Sequence, residues 1–136
     1  MGTQVSHSRM QVPASASSVP VLRRAAVEFY RQHCAQDKEL GSALALAVTE
    51  ACPNTVRHAY PDQTGAIDLE MALPQSDTLL VVVVDAGVGI DARTADPGAG
   101  FGLKLIEAYS RLTVCSSGRG TRVEMRFQCQ SAGQAI

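Results

Sequence analysis

Two polar side chains, Glu50 and Asn54, lie one helical turn apart in the segment ALAVTEACPNTVRHAYP, which covers residues 45–61. At about 100° per residue, the apolar residues of this segment form a stripe along one side of a helix, and the two polar residues lie beside its edge. A carboxylate and an amide at the rim of a core indicate a ligand that covers them. An ordinary helix end is the alternative interpretation, because Glu and Asn are common on helix flanks.

A second carboxylate, Asp85, ends the run VVVVD and is followed by Gly87 and Gly89. A buried carboxylate needs a hydrogen-bond donor, since leaving it without one is costly in free energy, and the amino group of an adenine is such a donor. The two glycines remove side chains where a flat base would lie close to the backbone. The alternative is a solvated Asp at a strand end, followed by a glycine turn.

A glycine-rich run, DPGAGFGLKLIEAY, covers residues 96–109 and places Gly98, Gly100 and Gly102 ahead of a predicted helix. The free N–H groups and the positive dipole end of a helix N-terminus attract phosphate. The spacing matches neither the G-x-G-x-x-G dinucleotide pattern nor a P-loop, so the run alone is weak evidence. Lys104 fits either a phosphate contact or a solvated side chain.

Hydrophobic periodicity predicts the helices that would position these residues. One helix begins near Pro20, after possible serine caps at residues 15–18, and ends near His33. A second begins after a cap at Asp37 and ends near residue 60. We expect a kink in it at Pro53, because proline costs ~3 kcal/mol inside a regular helix. A third helix follows the glycine run.

Alternating and continuous apolar residues predict a short edge strand and two hairpins. The expected strand segments are 10–12, 65–73, 78–84, 112–117 and 121–129. Because the alternating strands have one apolar face, three helices packed on that face would form a two-layer α+β sandwich. We expect one domain over residues 9–130, with a flexible tail at 1–8 and another at 131–136.

Composition and charge fit a soluble domain of 136 residues with net charge −1. Acids and bases are interspersed, which gives no indication of a nucleic-acid or membrane surface. No apolar run approaches the ~20 residues that span a bilayer, and the N-terminal residues lack the apolar core of a signal peptide. We expect a cytoplasmic protein whose cysteines are reduced core residues, with a redox or metal role as the alternative. These cysteines are Cys34, Cys52, Cys115 and Cys129.

Taken in chain order, these motifs resemble the GHKL superfamily of ATP-binding proteins, which includes gyrase, histidine kinases and MutL-type proteins. The matching residues are Glu50, Asn54 and His58 of the N box, residues 85–89 of the G1 box, residues 100–103 of the G2 box, and Gly120 and Thr121 of the last box. The resemblance covers roughly residues 19–127. It implies the Bergerat ATP-binding fold, with a mixed, mostly antiparallel sheet covered on one face by three helices.

Within the superfamily, the segments VRHAYPD and GFGLKLIEAYSRL…SSGRGTRVEMRF resemble the bacterial anti-sigma-factor serine/threonine kinases. A histidine kinase would also carry dimerisation helices with a phosphoacceptor His, for which this chain has no room, so we expect the acceptor on another protein. The resemblance implies an ATP-dependent kinase that binds a sigma factor and phosphorylates a serine of an anti-sigma-factor antagonist. It also implies a homodimer, without direct contact with nucleic acid or membrane.

The resemblance assigns a role to each matched residue. Glu50 would be the general base for the acceptor hydroxyl, Asn54 would bind the Mg²⁺ that bridges the phosphates of ATP, and Asp85 would accept from the adenine amino group. Residues 90–99 would form a short ATP lid, and His58 would be structural. The other cofactor-binding residues would be Gly87 and Gly89 beside the base, Gly100, Gly102 and Leu103 at the phosphates, and Thr121 on the adenine side.

Pro53 departs from the pattern because it immediately precedes the expected metal ligand. It would rotate Asn54 relative to Glu50, which endangers phosphoryl transfer more than ATP binding. The sequence therefore leaves three functions open. They are a protein kinase, a catalytically impaired module whose partner binding is gated by ATP and ADP, and an α+β scaffold that binds no nucleotide.

Overall fold

The computed structural model describes residues 6–34, 37–59, 65–85, 110–117 and 120–129. For residues 53–59 and 116–117 it describes the backbone alone. It contains five strands in the described ranges: β1 (His7–Pro13), β2 (Ala66–Gln75), β3 (Thr78–Asp85), β4 (Arg111–Ser117) and β5 (Gly120–Gln128). They form one sheet in the order β1-β2-β3-β5-β4. The α+β class expected from the sequence is confirmed.

Every described strand pairing is antiparallel. The sheet therefore differs from the expected mixed sheet in having no parallel pair within the described strands. The reason is the way the two hairpins join. The β4–β5 hairpin meets β3 through β5, which runs opposite to β3, whereas joining through β4 would have created a parallel pair.

Two α-helices are described, α1 (Val19–His33) and α2 (Lys38–Ala59), with a short 3-10 turn at Ala16–Ser18 before α1. The predicted cap of α2 is confirmed, since Oδ1 of Asp37 accepts from the N–H of Glu39 at 3.0 Å. Pro20 lies in the first turn of α1 as expected, although the hydroxyl of Ser18 makes no capping bond there. The third expected helix, after the glycine run, lies outside the described residues.

Helix α2 continues through Pro53 without interruption. One turn earlier, the hydroxyl of Thr49 donates to the carbonyl of Ala45 at 2.7 Å and accepts from Arg23 of α1 at 3.4 Å. The turn before the proline is thus tied to its own helix and to α1. The expected kink stays a prediction.

The core lies between the helices and one face of the sheet. The helices contribute apolar residues at helical spacing, and the strands contribute every second residue, as the sequence predicted. At roughly 1.5–3 kcal/mol for each large buried side chain, this layer is what fixes α2 over the sheet. Its largest fully buried members include Leu22, Leu44, Val48, Ile67, Leu69, Met71, Leu79, Val81, Met125 and Phe127.

The structure corrects the predicted N-terminal tail and does not describe the predicted C-terminal one. Strand β1 begins at His7, so the predicted N-terminal tail at 1–8 includes two strand residues; the ladder to β2 extends this far because the N–H of Leu73 donates to the carbonyl of Ser6 at 3.1 Å. The predicted tail at 131–136 lies outside the described residues.

The four cysteines do not share one environment. Cys34 and Cys52 are buried, as predicted, and Cys129 is intermediate, whereas Cys115 is exposed. The core prediction is wrong for Cys115 because it lies on β4, at an edge of the sheet, opposite the exposed Arg122. Burial raises the pKa of both Cys34 and Cys52 to about 12.

Candidate nucleotide site

Asp85 and Thr121 are direct partners across the sheet. Asp85 is the last residue of β3, and its Cα pairs with that of Thr121 near the start of β5. Both side chains are buried, with exposed fractions of 4% and 3%. A buried carboxylate beside a buried hydroxyl is costly in an apolar core, so this pair marks a polar position at one end of the sheet.

Gly120 allows the chain to enter β5 at this point. Its φ of 143° is a conformation that residues with a side chain rarely adopt, so the residue before Thr121 has to be glycine. The Gly-Thr motif thus has a structural explanation: the glycine starts the strand, and the threonine then lies opposite Asp85.

Buried apolar pairs fix the register that brings the two residues together. Val83 lies opposite Val123 and Val81 lies opposite Met125, and all four side chains are buried. A slip of one residue would turn these side chains to the outer face of the sheet, so the register is strongly specified.

Ile67 is a neighbour that the sequence reasoning missed. It is fully buried on β2 and is the Cα partner of Asp85 on the side away from β5. Directly opposed residues of antiparallel strands share a face, so Asp85 has an apolar neighbour on one side and a hydroxyl on the other. The β2–β3 register could have revealed Ile67, since the hairpin itself was predicted.

Glu50 lies in the C-terminal half of α2, immediately before the buried Ala51, and its side chain is half-buried. This helix packs on β3 and β5, the two strands that carry Asp85 and Thr121. Asn54 and His58 follow on the same helix, but their side chains lie outside the described part of the chain.

The remaining predicted site residues also fall outside the described ranges. They are Gly87, Gly89, the lid at 90–99, Gly100, Gly102, Leu103 and Lys104. Within those ranges, the structure brings together the two residues predicted for the adenine side and places the predicted base on the helix above the same strands.

The donor and acceptor groups at the sheet end fit an adenine. The exocyclic amino group of adenine donates hydrogen bonds, and a carboxylate accepts them more strongly than a neutral oxygen does. Ile67, which is fully buried, borders the carboxylate with apolar core on the other side. A separate groove of about 650 Å³ lies along the N-terminal half of α2 and includes Gln128 of β5, so it is not the position marked by Asp85.

Comparison with known families decides the assignment. The family model described as "Histidine kinase-like ATPase domain" matches residues 12–127. The chain belongs to this family. The match covers most of the chain and includes every residue proposed for the site, and membership implies that the domain binds ATP. The GHKL resemblance inferred from the motifs is thereby confirmed.

Curated relatives of this ATPase domain carry the name "Serine-protein kinase RsbW". The protein from Bacillus cereus is 34% identical over 84 residues, which cover 60% of this chain and 50% of the relative. The protein from Bacillus velezensis is 29% identical over 143 residues, which cover 92% of this chain and 87% of the relative. The chain thus spans about half the length of the Bacillus cereus relative and most of the Bacillus velezensis one.

Solved structures confirm the fold of the ATPase domain. The RsbU and RsbW domains of Rv1364c from Mycobacterium tuberculosis match with a TM-score of 0.72 at 19% identity, over 91% of this chain and 32% of that one. The mycobacterial sensor histidine kinase MprB matches with a TM-score of 0.56 at 16% identity, over 90% and 99% of the two chains. In the described parts of the ATPase domain, no helix is long and apolar enough to cross a membrane.

Proposed function

We propose that this domain is an ATP-dependent serine/threonine protein kinase that also acts as an anti-sigma factor. The observation that carries the proposal is the buried pair of Asp85 and Thr121 at one end of the sheet, beneath the helix that carries Glu50. The names of the Bacillus relatives support a serine kinase, and the alignment with the Bacillus velezensis protein extends over nearly the whole chain.

The chain's own residues divide the work between binding and proton transfer. Asp85 would accept from the adenine amino group, with Thr121, Gly87 and Gly89 also on the adenine side. Asn54 would hold Mg²⁺ through its amide oxygen, a hard neutral ligand that suits this ion. Backbone N–H groups at Gly100, Gly102 and Leu103 would bind the phosphates.

Glu50 completes the site as the general base, taking the proton of the acceptor hydroxyl. Its half-buried position suits this role, because a carboxylate at the rim of the core is open to a substrate and partly shielded from water. Bound Mg-ATP supplies the phosphoryl group and the metal charge that stabilises its transfer.

The proposed protein partners are a sigma factor, which the ATP-bound domain would hold, and an anti-sigma-factor antagonist, which would receive the phosphoryl group on a serine. The domain would act as a homodimer in the cytoplasm. The sequence resemblance to anti-sigma-factor kinases and the RsbW relatives support these partners.

A second function, a nucleotide-gated binding module without kinase activity, is favoured by Pro53. This residue precedes Asn54 inside α2 and deprives the helix of one backbone hydrogen bond. If the metal ligand is displaced, ATP and ADP can still control partner binding while transfer is lost.

Two substitutions separate these functions. Glu50→Ala should abolish transfer of label from γ-³²P-ATP to a candidate antagonist and leave Mg-ATP binding intact, as measured by calorimetry. Asp85→Asn should weaken binding and transfer together. Glu39→Ala, in the exposed first turn of the same helix, is the control and should change neither. A wild-type domain that binds Mg-ATP and labels no antagonist would support the second function, and one that binds no Mg-ATP would contradict both.

A further inference from the structure

Two cysteines that are far apart in the sequence meet at the end of the domain where α1 and β5 terminate. The thiol of Cys34 donates to Sγ of Cys129, and the two sulfur atoms are 3.8 Å apart. Each residue directly follows its element and is held by its backbone. The N–H of Cys34 donates to the carbonyl of Tyr30, and that of Cys129 donates to the carbonyl of Asp77, both at 2.9 Å.

We propose that Cys34 and Cys129 form a reversible intramolecular disulfide when the protein meets a hydroperoxide. The proposal rests on the contact between the two sulfur atoms and does not depend on nucleotide binding or kinase activity.

The geometry needs only a small movement. A disulfide bond is about 2.05 Å long, so the sulfur atoms have to approach by roughly 1.8 Å. Cys34 has extended backbone angles, φ −121° and ψ 150°, and lies just past the last residue of α1. Cys129 lies just past the last residue of β5. Because both residues lie just past the ends of their elements, we expect the bond to close while the helix and the sheet stay intact.

The difference in burial sets the order of the two steps. Cys129 is partly exposed and therefore reacts first with the oxidant, whereas Cys34 is only 1% exposed. The sulfur of Cys129 attacks one peroxide oxygen, the O–O bond breaks, one water leaves and a sulfenic acid forms. The sulfur of Cys34 then attacks the sulfenic sulfur, the S–S bond forms, and the S–O bond breaks with loss of a second water. Two thiols lose two electrons and two protons, and one hydrogen peroxide becomes two waters.

The environment makes this reaction slow. Burial raises the pKa of Cys34 to about 12 and also raises the pKa of Cys129, so both groups are thiols at neutral pH. Because the thiolate is the reactive form, we expect oxidation under sustained exposure to peroxide.

The bond would also affect the start of α2. The hydroxyl of Tyr30, one turn before Cys34, donates to the carbonyl of Asp37 at 2.9 Å, and that same carbonyl accepts from the N–H of Gly41. The disulfide would fix the end of α1 to the end of β5. Because Tyr30 of α1 is bonded to Asp37, the start of α2 would be restrained as well. Amide hydrogen exchange over residues 37–43 should become slower in the oxidised protein.

The test is a titration of the reduced, full-length domain with hydrogen peroxide at fixed pH. Mass spectrometry should show a monomer lighter by about 2 Da, consistent with one internal disulfide. After alkylation under denaturing conditions, peptide mapping should find Cys34 linked to Cys129 and both other cysteines alkylated. Cys115→Ser should behave like the wild type, and Cys129→Ser should form no internal bond. The proposal is overturned if Cys129 ends as a sulfinic or sulfonic acid, or if disulfide-linked dimers through Cys115 are the main product.

Thermal unfolding gives a second readout. The crosslink joins residues 95 positions apart, and closing so long a loop restricts the unfolded chain strongly. We expect the Tm of the oxidised wild type to rise by at least ~5 °C and to return after treatment with dithiothreitol. Peroxide should not raise the Tm of Cys129→Ser, which replaces a partly exposed residue and tests the pair without emptying the core. A Tm that falls on oxidation would show that the bond does not fit the native fold and would overturn the proposal.

Discussion

Replacing Asp85 by Asn is the sharpest test of the nucleotide site, because it keeps the shape of the side chain and changes its hydrogen-bonding character. An adenine amino group can donate only to an acceptor, and both oxygens of a carboxylate accept. Asparagine presents one acceptor and one donor, so the substituted site can be matched to a different purine. Inosine carries a carbonyl oxygen where adenine carries the amino group.

The structure sets the size of the effect. Asp85 is 4% exposed, so a hydrogen bond from a ligand to its carboxylate would be almost fully shielded from water. Bonds to charged groups contribute about 1.5–3 kcal/mol, which corresponds to a roughly 10- to 150-fold weaker Kd for ATP in Asp85→Asn.

Calorimetric titration of the wild type and of Asp85→Asn with Mg-ATP and Mg-ITP gives the four affinities that test this assignment. The wild type should prefer ATP, and Asp85→Asn should lose affinity for ATP while its ratio of ITP to ATP affinity increases. Asp68→Asn is the matched control. Asp68 lies on β2 opposite Val84, one position from Asp85 in register but on the outer face, where it pairs with Arg9 at 3.5 Å. Equal losses in the two variants, or an unchanged ATP preference in Asp85→Asn, would refute the assignment of Asp85 to the base.

Three further predictions concern stability. Gly120→Ala should destabilise the domain by about 1–3 kcal/mol, because alanine rarely adopts a φ of 143°. Gly41→Ala, in α2, should stabilise the domain by about 0.5–1 kcal/mol, because alanine restricts the unfolded chain and its Cβ would lie 3.4 Å from the ring of Tyr30, an ordinary contact. Urea unfolding checks both, and the opposite order would contradict the backbone argument. Asp37→Ala should lose about 0.5–2 kcal/mol of unfolding free energy with its cap, and Asp37→Asn much less, in the same assay. The guanidinium of Arg122, at 2.8 Å, lowers the pKa of Glu124, so the carboxylate stabilises the fold above the ordinary pKa of Glu and this stability is lost as pH falls through the lowered value. Glu124→Gln should thus lose about 0.2–1 kcal/mol at pH 7 and progressively less as the pH falls through the lowered pKa, and a difference that does not shrink in acid would point to packing instead.

Local sequence patterns correctly predicted most of the described secondary structure. The predicted strand at 78–84 ends one residue before the observed end of β3, and the cap at Asp37 is confirmed by its bond to Glu39. These features depend on residues close together in the chain, where periodicity and capping chemistry act directly. The class of fold followed because the apolar faces of helices and strands have to cover one another.

Features that depend on which strands meet did not follow from periodicity. Periodicity does not show that the second hairpin joins β3 through β5; only the family resemblance placed Thr121 on the adenine side with Asp85, and the register adds that the two are direct partners. Joining through β5 also places Cys115 on an exposed edge and brings Cys129 to Cys34, which had been predicted only as separate core residues. Pairing between distant strands depends on how all the core side chains pack together, and a short stretch of sequence does not carry that information.

The two residues proposed for the adenine side come from different hairpins, and this has a consequence for the newly made chain. Asp85 is already synthesised when β3 is complete, but its neighbour Thr121 arrives only with β5, the last described strand. If these two residues hold the base as proposed, the domain acquires its nucleotide only after β5 has emerged from the ribosome. A nucleotide that binds only the finished sheet then selects molecules that have folded completely.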